Sequence, residues 1–230
     1  MPKVNDEYFY NKRKNILDAA IRVFLKKPSY SVNMVDIVKE SKLSQGGVYK
    51  YYSNIDDIII ALLNSNNITL SPKDVINKYY DNPEKVIFEL FENLKKNFFI
   101  DEKCFGKIMF ELMPIFLNDK DRFKKLIQQI SKNNSFYYWI SELFVFIDKK
   151  VDEKYFNPVL KLNDIYIQII FSIEGLFKEL ILIKYYGFDK RFYRYGENNF
   201  LEINLNNLFN TLYETILILL GSRNNFTKSN

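Results

Sequence analysis

Of all the side chains that could do chemistry, those in the run Ser44-Gln45-Gly46-Gly47-Val48-Tyr49-Lys50-Tyr51-Tyr52 are distinctive in both type and spacing. A primary amide, two glycines, one ammonium and several phenols supply hydrogen bonds and a cation, with no nucleophile set beside a base. That is the chemistry of recognition, not of bond-making. The Gln45 amide presents a donor and an acceptor side by side, which matches the edge of an adenine; such a bidentate pair is worth about 1 to 3 kcal/mol of discrimination. Gly46 and Gly47 each lower helix propensity by about 1 kcal/mol. Either the backbone there comes close to another surface or the start of a helix is simply frayed.

Elsewhere the sequence withholds the groups that catalysis most often uses. It contains no histidine, so Ser/His/Asp and Cys/His constellations are excluded, as are the usual zinc ligand sets. Cys104 is the single cysteine, which excludes an internal disulfide. Carboxylate pairs such as Asp56-Asp57 and Asp101-Glu102 sit at helix starts or turns and read as capping and solvation. Only a carboxylate metal site stays open. No catalytic residue, metal or cofactor is expected, and the chain does not read as an enzyme.

Charge sharpens the recognition reading. Residues 1–55 hold ten Lys/Arg and five Asp/Glu, a local excess of +5 that equals the net charge of the whole chain. Cations concentrated in one segment suit a polyanion, because each one placed near a phosphate releases a condensed counterion. A solvated helix face explains the same excess. At 230 residues, 47% of them hydrophobic and 27% charged, the chain is long enough for a small domain plus a larger one and is expected to be fully ordered. No apolar segment follows a basic one at the N-terminus, so an intracellular, cytoplasmic protein is expected. The most apolar stretches, Ile165 to Phe188 and Leu205 to Leu220, are interrupted by charges or too short to span a bilayer.

The elements that must position the 44–52 run follow from periodicity. Ile16, Ala19, Ala20, Val23 and Phe24 have the i, i+3, i+4, i+7, i+8 spacing of an amphipathic helix from Asn15, which ends before Pro28. Asn33 caps a short second helix with Met34, Ile37 and Val38 inward. Ser41-Lys42-Leu43 turns, and Ser44 caps a third helix through Tyr52, with Val48 and Tyr52 inward. Two short helices joined by a tight turn, from about Asn33 to Tyr52, form a helix-turn-helix. A fourth helix follows caps at Ser53 and Asn54 and runs to about Ser65, where the domain boundary is placed: 1–65 and 66–230. Beyond it, helices are expected near 83–99, 104–117, 121–149, 164–186 and 201–220, with Pro114 kinking or breaking its own. Nothing alternates with period two for long, so the fold class is all-α with essentially no sheet. Two apolar rows mark the helix at 164–186: Ile165, Ile169, Ile173, Leu176 and Leu180 on one side, Ile167, Ile170, Phe171, Phe177 and Ile181 on the other. Together with Leu205, Leu208, Phe209, Leu212, Ile216 and Leu219 they suggest a four-helix homodimer interface built from the two C-terminal helices.

Residues Arg13 to Phe24, Asp36-Ile37 and Ser44 to Tyr52 resemble the TetR family of bacterial transcriptional regulators over about residues 12 to 63. The resemblance implies an N-terminal three-helix DNA-binding domain joined to a larger helical domain for ligand binding and dimerisation. It also implies double-stranded DNA as the partner, read by Asn33, Ser44, Gln45, Gly46, Gly47, Tyr49, Lys50 and Tyr51, with Tyr52 as the core aromatic. Asn33 is read equally well as a simple cap, and Lys12, Arg13 and Lys14 either track a strand or are solvated. Ile55 stands where the family usually has a phosphate-contacting lysine, Lys42 where it has the turn glycine, and Ser29 where glycine is common.

For the remainder of the chain the resemblance implies a small-molecule cavity whose filling moves the DNA-reading heads. The aromatic richness of residues 66–230 fits an apolar or planar effector of unknown identity, and fits a plain helical core as well. Candidate effector residues are Phe110, Trp139 and Phe171, with Glu111 and Glu174 as carboxylates in apolar surroundings that either face a cationic ligand, pair with a nearby lysine, or lie at the surface. The leading expectation is a homodimeric repressor of palindromic operators. An activator, a constitutive DNA binder and a helical interaction protein with a basic N-terminal unit are the alternatives; the chain lacks the strongly cationic apolar helix of a membrane-docking segment.

Overall fold

A computed structural model describes residues 6–65, 70–99, 105–188, 194–195, 199–200 and 204–222. Cys104, Asp101-Glu102 and the expected linker residues Asn66-Asn67 lie outside the described residues, as do the side chains of Phe98-Phe99. The described part is helical: α1 Asp6–Lys26, α2 Met34–Ser41, α3 Gln45–Tyr49, α4 Ile55–Asn64, α5 Pro72–Tyr79, α6 Pro83–Leu94, α7 Phe105–Asn118, α8 Lys120–Gln129, α9 Phe136–Asp152, α10 Leu162–Tyr186 and α11 Leu205–Leu219. The only strands among the described residues are β1 Arg194–Tyr195 and β2 Asn199–Phe200, which pair antiparallel through Arg194 with Phe200 and Tyr195 with Asn199. The all-α expectation holds, with this two-residue ladder as its one exception.

The chain forms two compact units, residues 1–67 with 101–134 and residues 68–100 with 135–230. In the first, α1 packs on α2 and α4, α7 packs on the 3₁₀ turn Ser29–Ser31 and on α8, and α8 returns to α4. Ile16, Ala19, Ala20, Val23 and Phe24 of α1 are buried, as the spacing requires, against a core that includes Ile37, Val48, Ile58, Ile59, Leu63, Ile108, Leu112 and Phe116. In the second unit α5, α6 and α9 pack together and α11 joins α6 to α10, over a core that includes Val86, Leu90, Trp139, Leu143, Ile147, Ile165, Ile173 and Ile216.

The helices depart from expectation at several places, and α3 ends at Tyr49 rather than Tyr52. α1 starts nine residues earlier than the Asn15 start, at Asp6. An unexpected helix, α5, starts at Pro72 in the N1 position behind a Ser71/Asp74 capping box. The segment expected as one helix over 121–149 is α8 and α9, separated by a 3₁₀ turn at Lys132–Asn134. A partner explains that break: Asn64 Oδ1 accepts from Ser131 N (2.6 Å) and its Nδ2 donates to the Gln129 carbonyl (2.8 Å), so groups that would continue the helix are satisfied from α4. α7 does not break at Pro114; it runs on to Asn118, whose Nδ2 donates to the Pro114 carbonyl at 2.8 Å. No helix among the described residues is long and apolar enough to cross a membrane.

Candidate nucleic-acid interface

The 33–52 segment is held by side-chain caps at each helix start. Asn33 Oδ1 accepts from Val35 N (3.0 Å) and Asp36 N (3.2 Å), while Asp36 Oδ2 accepts from Asn33 N (3.2 Å), closing a capping box. Lys27 donates to both Asp36 oxygens, at 2.7 and 2.8 Å, and that bond holds the Asp36 carboxyl below the usual carboxylate range. Glu40, at the other end of α2, pairs with Arg22 Nε (2.6 Å) and Lys26 (3.5 Å). The C-terminal half of α1 is thereby tied to α2 at both of its ends.

The turn itself is made by a lysine. Lys42 has φ 57° and ψ 24°, the left-handed conformation, which costs a side chain with a Cβ about 1 to 2 kcal/mol. It ends α2 and sends the chain to Ser44, whose Oγ accepts from Gly47 N at 3.1 Å to start α3. Val48 is fully buried and Tyr52 nearly so; burial pushes the Tyr52 phenol upward. With that pair turned inward, Gln45, Gly46, Tyr49 and Lys50 are exposed together, because positions i, i+1, i+4 and i+5 share one side of a helix. Ser44 and Asn33 are exposed; Gly47 and Tyr51 are half-buried.

The two glycines have different causes. A Cβ added to Gly47 would sit 3.1 Å from Ser44 Oγ and 3.7 Å from Leu43 Cβ, so the cap itself favours glycine there. A Cβ at Gly46 would meet nothing within 4 Å. No neighbour inside the protein requires Gly46 to lack a side chain.

The free charge is also localised. Arg22 and Lys26 share Glu40 and Lys27 pairs with Asp36, whereas Lys12, Arg13, Lys14, Lys39, Lys42 and Lys50 make no ion pair with a carboxylate of the described residues. Ile55, the position without the customary lysine, begins α4 behind Asn54, whose side chain accepts from Asp57 N (3.0 Å).

The residues considered for an effector are distributed over both units. The Glu111 residue is half-buried with its side chain only 7% exposed, and its Oε2 accepts from Lys107 Nζ (2.9 Å), from Ser29 N (2.6 Å) and from the Ser29 hydroxyl. Of the readings open for Glu111 the structure bears out pairing with a lysine. It also explains serine in place of glycine at position 29, since the hydroxyl has a buried acceptor. Glu174 is exposed on α10, and its charge helps to raise the Tyr137 phenol, which is raised chiefly by burial. Phe110 is half-buried in the first unit; Trp139 is fully buried in the second, and Phe171 is 66% exposed. A cleft of about 360 Å³ between α4 and α8 is lined by Asp56, Asp57, Asp119, Asp121, Arg122 and Lys125 among others. Its carboxylates are largely engaged: Asp56 forks with Arg122 at 2.6 and 2.9 Å, Asp57 accepts from Ser53 N, and Asp119 caps α8. No group of three or more metal-ligating side chains is assembled among the described residues.

What the periodicity argument missed is the first turns of α1. Phe9 meets the Tyr51 ring edge-on with centroids 6.3 Å apart, and the Lys50 ammonium lies 5.2 Å from the Phe9 ring centre. The apolar residues before Asn15 are aromatic and mostly exposed, so no helical stripe announces them.

Comparison with known proteins places this geometry. The sequence model for bacterial regulatory proteins of the tetR family matches residues 16–62. Over 57 residues the chain is 40% identical to an uncharacterized HTH-type transcriptional regulator, YfiR, of Bacillus subtilis (strain 168); the alignment covers 25% of this chain and spans only 28% of the length of that curated relative. Among solved structures, NalD, described as the secondary repressor of the MexAB-OprM multidrug efflux pump in Pseudomonas aeruginosa, is similar with a TM-score of 0.62 at 17% identity, covering 95% of this chain and 100% of NalD. Salmonella enterica GusR gives 0.55 at 12% identity over 95% and 98% of the two chains, and a TetR transcription regulator from Haloarcula marismortui gives 0.58 at 16% over 92% and 97%. These structural likenesses carry the shared fold, and the sequence match carries the helix-turn-helix. The segment 16–62 that holds the helix-turn-helix thus matches the tetR family of bacterial regulatory proteins, and the chain shares its fold with the solved structures above.

Proposed function

We propose that the protein is a DNA-binding transcriptional regulator that acts in the cytoplasm as a homodimeric repressor of palindromic operators, released by a small apolar or aromatic ligand. The observation that carries the DNA-reading part is the exposed face of α3: Gln45, Gly46, Tyr49 and Lys50 point outward together from a segment capped at Ser44 and anchored by Val48. Gln45 reads a base edge, Gly46 lets the backbone approach, and Ser44, Tyr49, Lys50 and Tyr51 contact phosphates, with Asn33 and Gly47 at the margin of the same surface. A repressor needs nothing more than occupancy of a promoter-overlapping site.

In this reading residues 1–65 are the DNA-binding domain and 66–230 the effector-binding and dimerisation domain. The dimer forms through α10 and α11. It is supported by apolar side chains left at their surfaces: Ile167 and Phe171, one turn apart on α10, are 42% and 66% exposed, and Leu208 and Ile218 of α11 are 37% and 44% exposed. The inward row Ile165, Ile169, Ile173 is buried in the protomer, and so is Ile181 of the second row, which leaves Ile167 and Phe171 to face a partner. Phe110 and Trp139 are the residues proposed to border the ligand; the paired Glu111 and the exposed Glu174 give no support to a cationic one.

Selection from random duplex DNA followed by affinity measurement tests the proposal. The expected result is a two-fold symmetric site, and a loss of about 1 to 3 kcal/mol of preference for that site over a scrambled duplex in Gln45→Ala. A selection that yields no symmetric sequence, or an unchanged preference in Gln45→Ala, overturns it. A monomer at micromolar concentration in sedimentation overturns the dimer, and a ligand is expected to raise the melting temperature while weakening DNA binding by reciprocal linkage.

A further inference from the structure

We infer that the first turns of α1, residues 6–12, form part of the DNA interface, with Phe9 as the positioning residue for the C-terminal end of the reading segment. The inference rests on the DNA-reading proposal above. It starts from a cluster whose α1 members, Tyr8, Phe9 and Lys12, precede the family-matched residues 16–62 and whose other members, Lys50 and Tyr51, lie just past α3. Phe9 contacts Tyr51 edge-to-face at 6.3 Å and Tyr8 at 5.9 Å, the Lys50 ammonium lies 5.2 Å from the Phe9 ring centre, and Lys12 lies 5.4 Å from that of Tyr8. Two ammonium groups are thus held over aromatic faces rather than by carboxylates, and neither pairs with a described acidic side chain.

That distinction decides what the cluster can do. A carboxylate partner would cancel the charge of Lys50; an aromatic face restrains the ammonium and leaves its charge for a phosphate. Lys50 and Tyr51 directly follow the last residue of α3, Tyr49; Lys50 keeps helical backbone, its N donating to the Gly46 carbonyl, while Tyr51 N donates to the Val48 carbonyl. Phe9 adds a side-chain contact to both residues from a different helix. Tyr8 and Tyr10 are 51% and 66% exposed, so the surface continues past Lys50 along α1, and its chemistry of phenols and cations suits the sugar-phosphate backbone and not base edges. The partner is a duplex phosphate backbone flanking the bases read by Gln45.

The test is the salt dependence of binding to the duplex recovered by selection, measured for the full chain and for Phe9→Ala, Phe9→Leu and Phe9→Trp. Each phosphate contact contributes about 0.9 to the slope of log affinity against log salt. Phe9→Ala and Phe9→Leu are expected to lose about two- to fivefold in affinity at low salt and to flatten the slope by about 1 per protomer. Their preference for the selected over a scrambled duplex stays unchanged, and Phe9→Trp restores both affinity and slope. The Phe9→Ala effect is expected to vanish when Lys50 is already Met, since the two act as one unit. Equal affinity and slope in wild type and Phe9→Ala overturn the inference alone, as does a full Phe9→Ala effect in the Lys50→Met background. A wild-type chain that binds no duplex overturns the DNA-reading proposal itself, and a Gln45→Ala loss of preference without any Phe9 effect upholds that proposal while removing this one.

Discussion

Replacing Glu111 by leucine removes the acceptor for three donors at once. Lys107 Nζ, Ser29 N and Ser29 Oγ all converge on Glu111 Oε2, and the Lys107 and Glu111 side chains are each 7% exposed. The lysine left behind keeps two carbonyl acceptors, Phe24 O at 2.8 Å and Lys27 O at 3.1 Å, but no counter-charge; breaking a buried pair from one side costs about 3 to 5 kcal/mol. The Ser29 amide also loses its acceptor, and an orphaned buried donor costs about 1 to 3 kcal/mol. Because part of that second cost overlaps the first, Glu111→Leu is expected to lose about 4 to 5 kcal/mol, a large share of the stability of a domain this size. Lys107→Met is expected to be milder, about 2 to 4 kcal/mol, since the carboxylate retains both Ser29 donors while the last carbonyls of α1 lose theirs. The double variant should lie well below the sum of the singles, with a coupling of about 2 kcal/mol or more. Urea unfolding of all four proteins, followed by circular dichroism, supplies the cycle. Additive losses, or a Glu111→Leu cost under about 1 kcal/mol with an unchanged m-value, would refute the view that this pair fastens α7 to the end of α1.

Lys42→Gly is expected to stabilise the protein by about 1 kcal/mol, because glycine occupies the φ 57° turn without the cost a Cβ imposes; denaturant midpoints check it. Gly221→Ala is expected to destabilise by several kcal/mol, about 2 to 4, since φ is +68° and the added Cβ would fall 2.1 Å from the Asn157 carbonyl oxygen. The backbone at Asn157 would have to move, and with it the 3.0 Å bond from Asn157 N to Leu220 O. Burial and the bond to Glu84 push the Tyr155 phenol up to about 12. A raised pKa makes its stabilisation fully present below pH 10, the ordinary value, and lost as pH climbs toward 12, so Tyr155→Phe is expected to lessen the decline in unfolding free energy over that window. Asp36 works in the opposite direction: its depressed carboxyl adds stability above about pH 4 that fades as pH falls through its lowered value, and Asp36→Asn should remove that part of the acid dependence.

The reading head was legible because its local signals agree. Asn33, Ser44 and Asn54 each cap a helix where a cap residue precedes an apolar run, and the inward pair Val48 and Tyr52 is spaced one turn apart. Long-range partners were not legible. The break between α8 and α9 depends on Asn64, more than sixty residues away, and Glu111 looked like an anomaly in an apolar helix until Ser29, eighty-two residues earlier, was brought against it. Gly47 and Gly46 look alike in the sequence; only the position of Ser44 Oγ separates a glycine demanded by the cap from one with open space before it.

The charge count is the point at which sequence and structure together say more than either does. A local +5 in residues 1–55 suggests a diffuse field, yet Arg22, Lys26 and Lys27 are spent on Glu40 and Asp36 to fix α1 against α2. Among the described residues, what remains is Lys12, Arg13 and Lys14 on α1, Lys39 and Lys42 at the end of α2, and Lys50 past α3. If every one of the six met a phosphate in both protomers of a dimer, log affinity would fall with log salt at a slope of about −11. A shallower slope measures how many of them are solvated, and single Lys→Gln variants, each expected to flatten it by about 2 per dimer, identify which. Lysines that leave the slope unchanged when removed lie off the track of the backbone, so the same experiment maps the path of the DNA across the head.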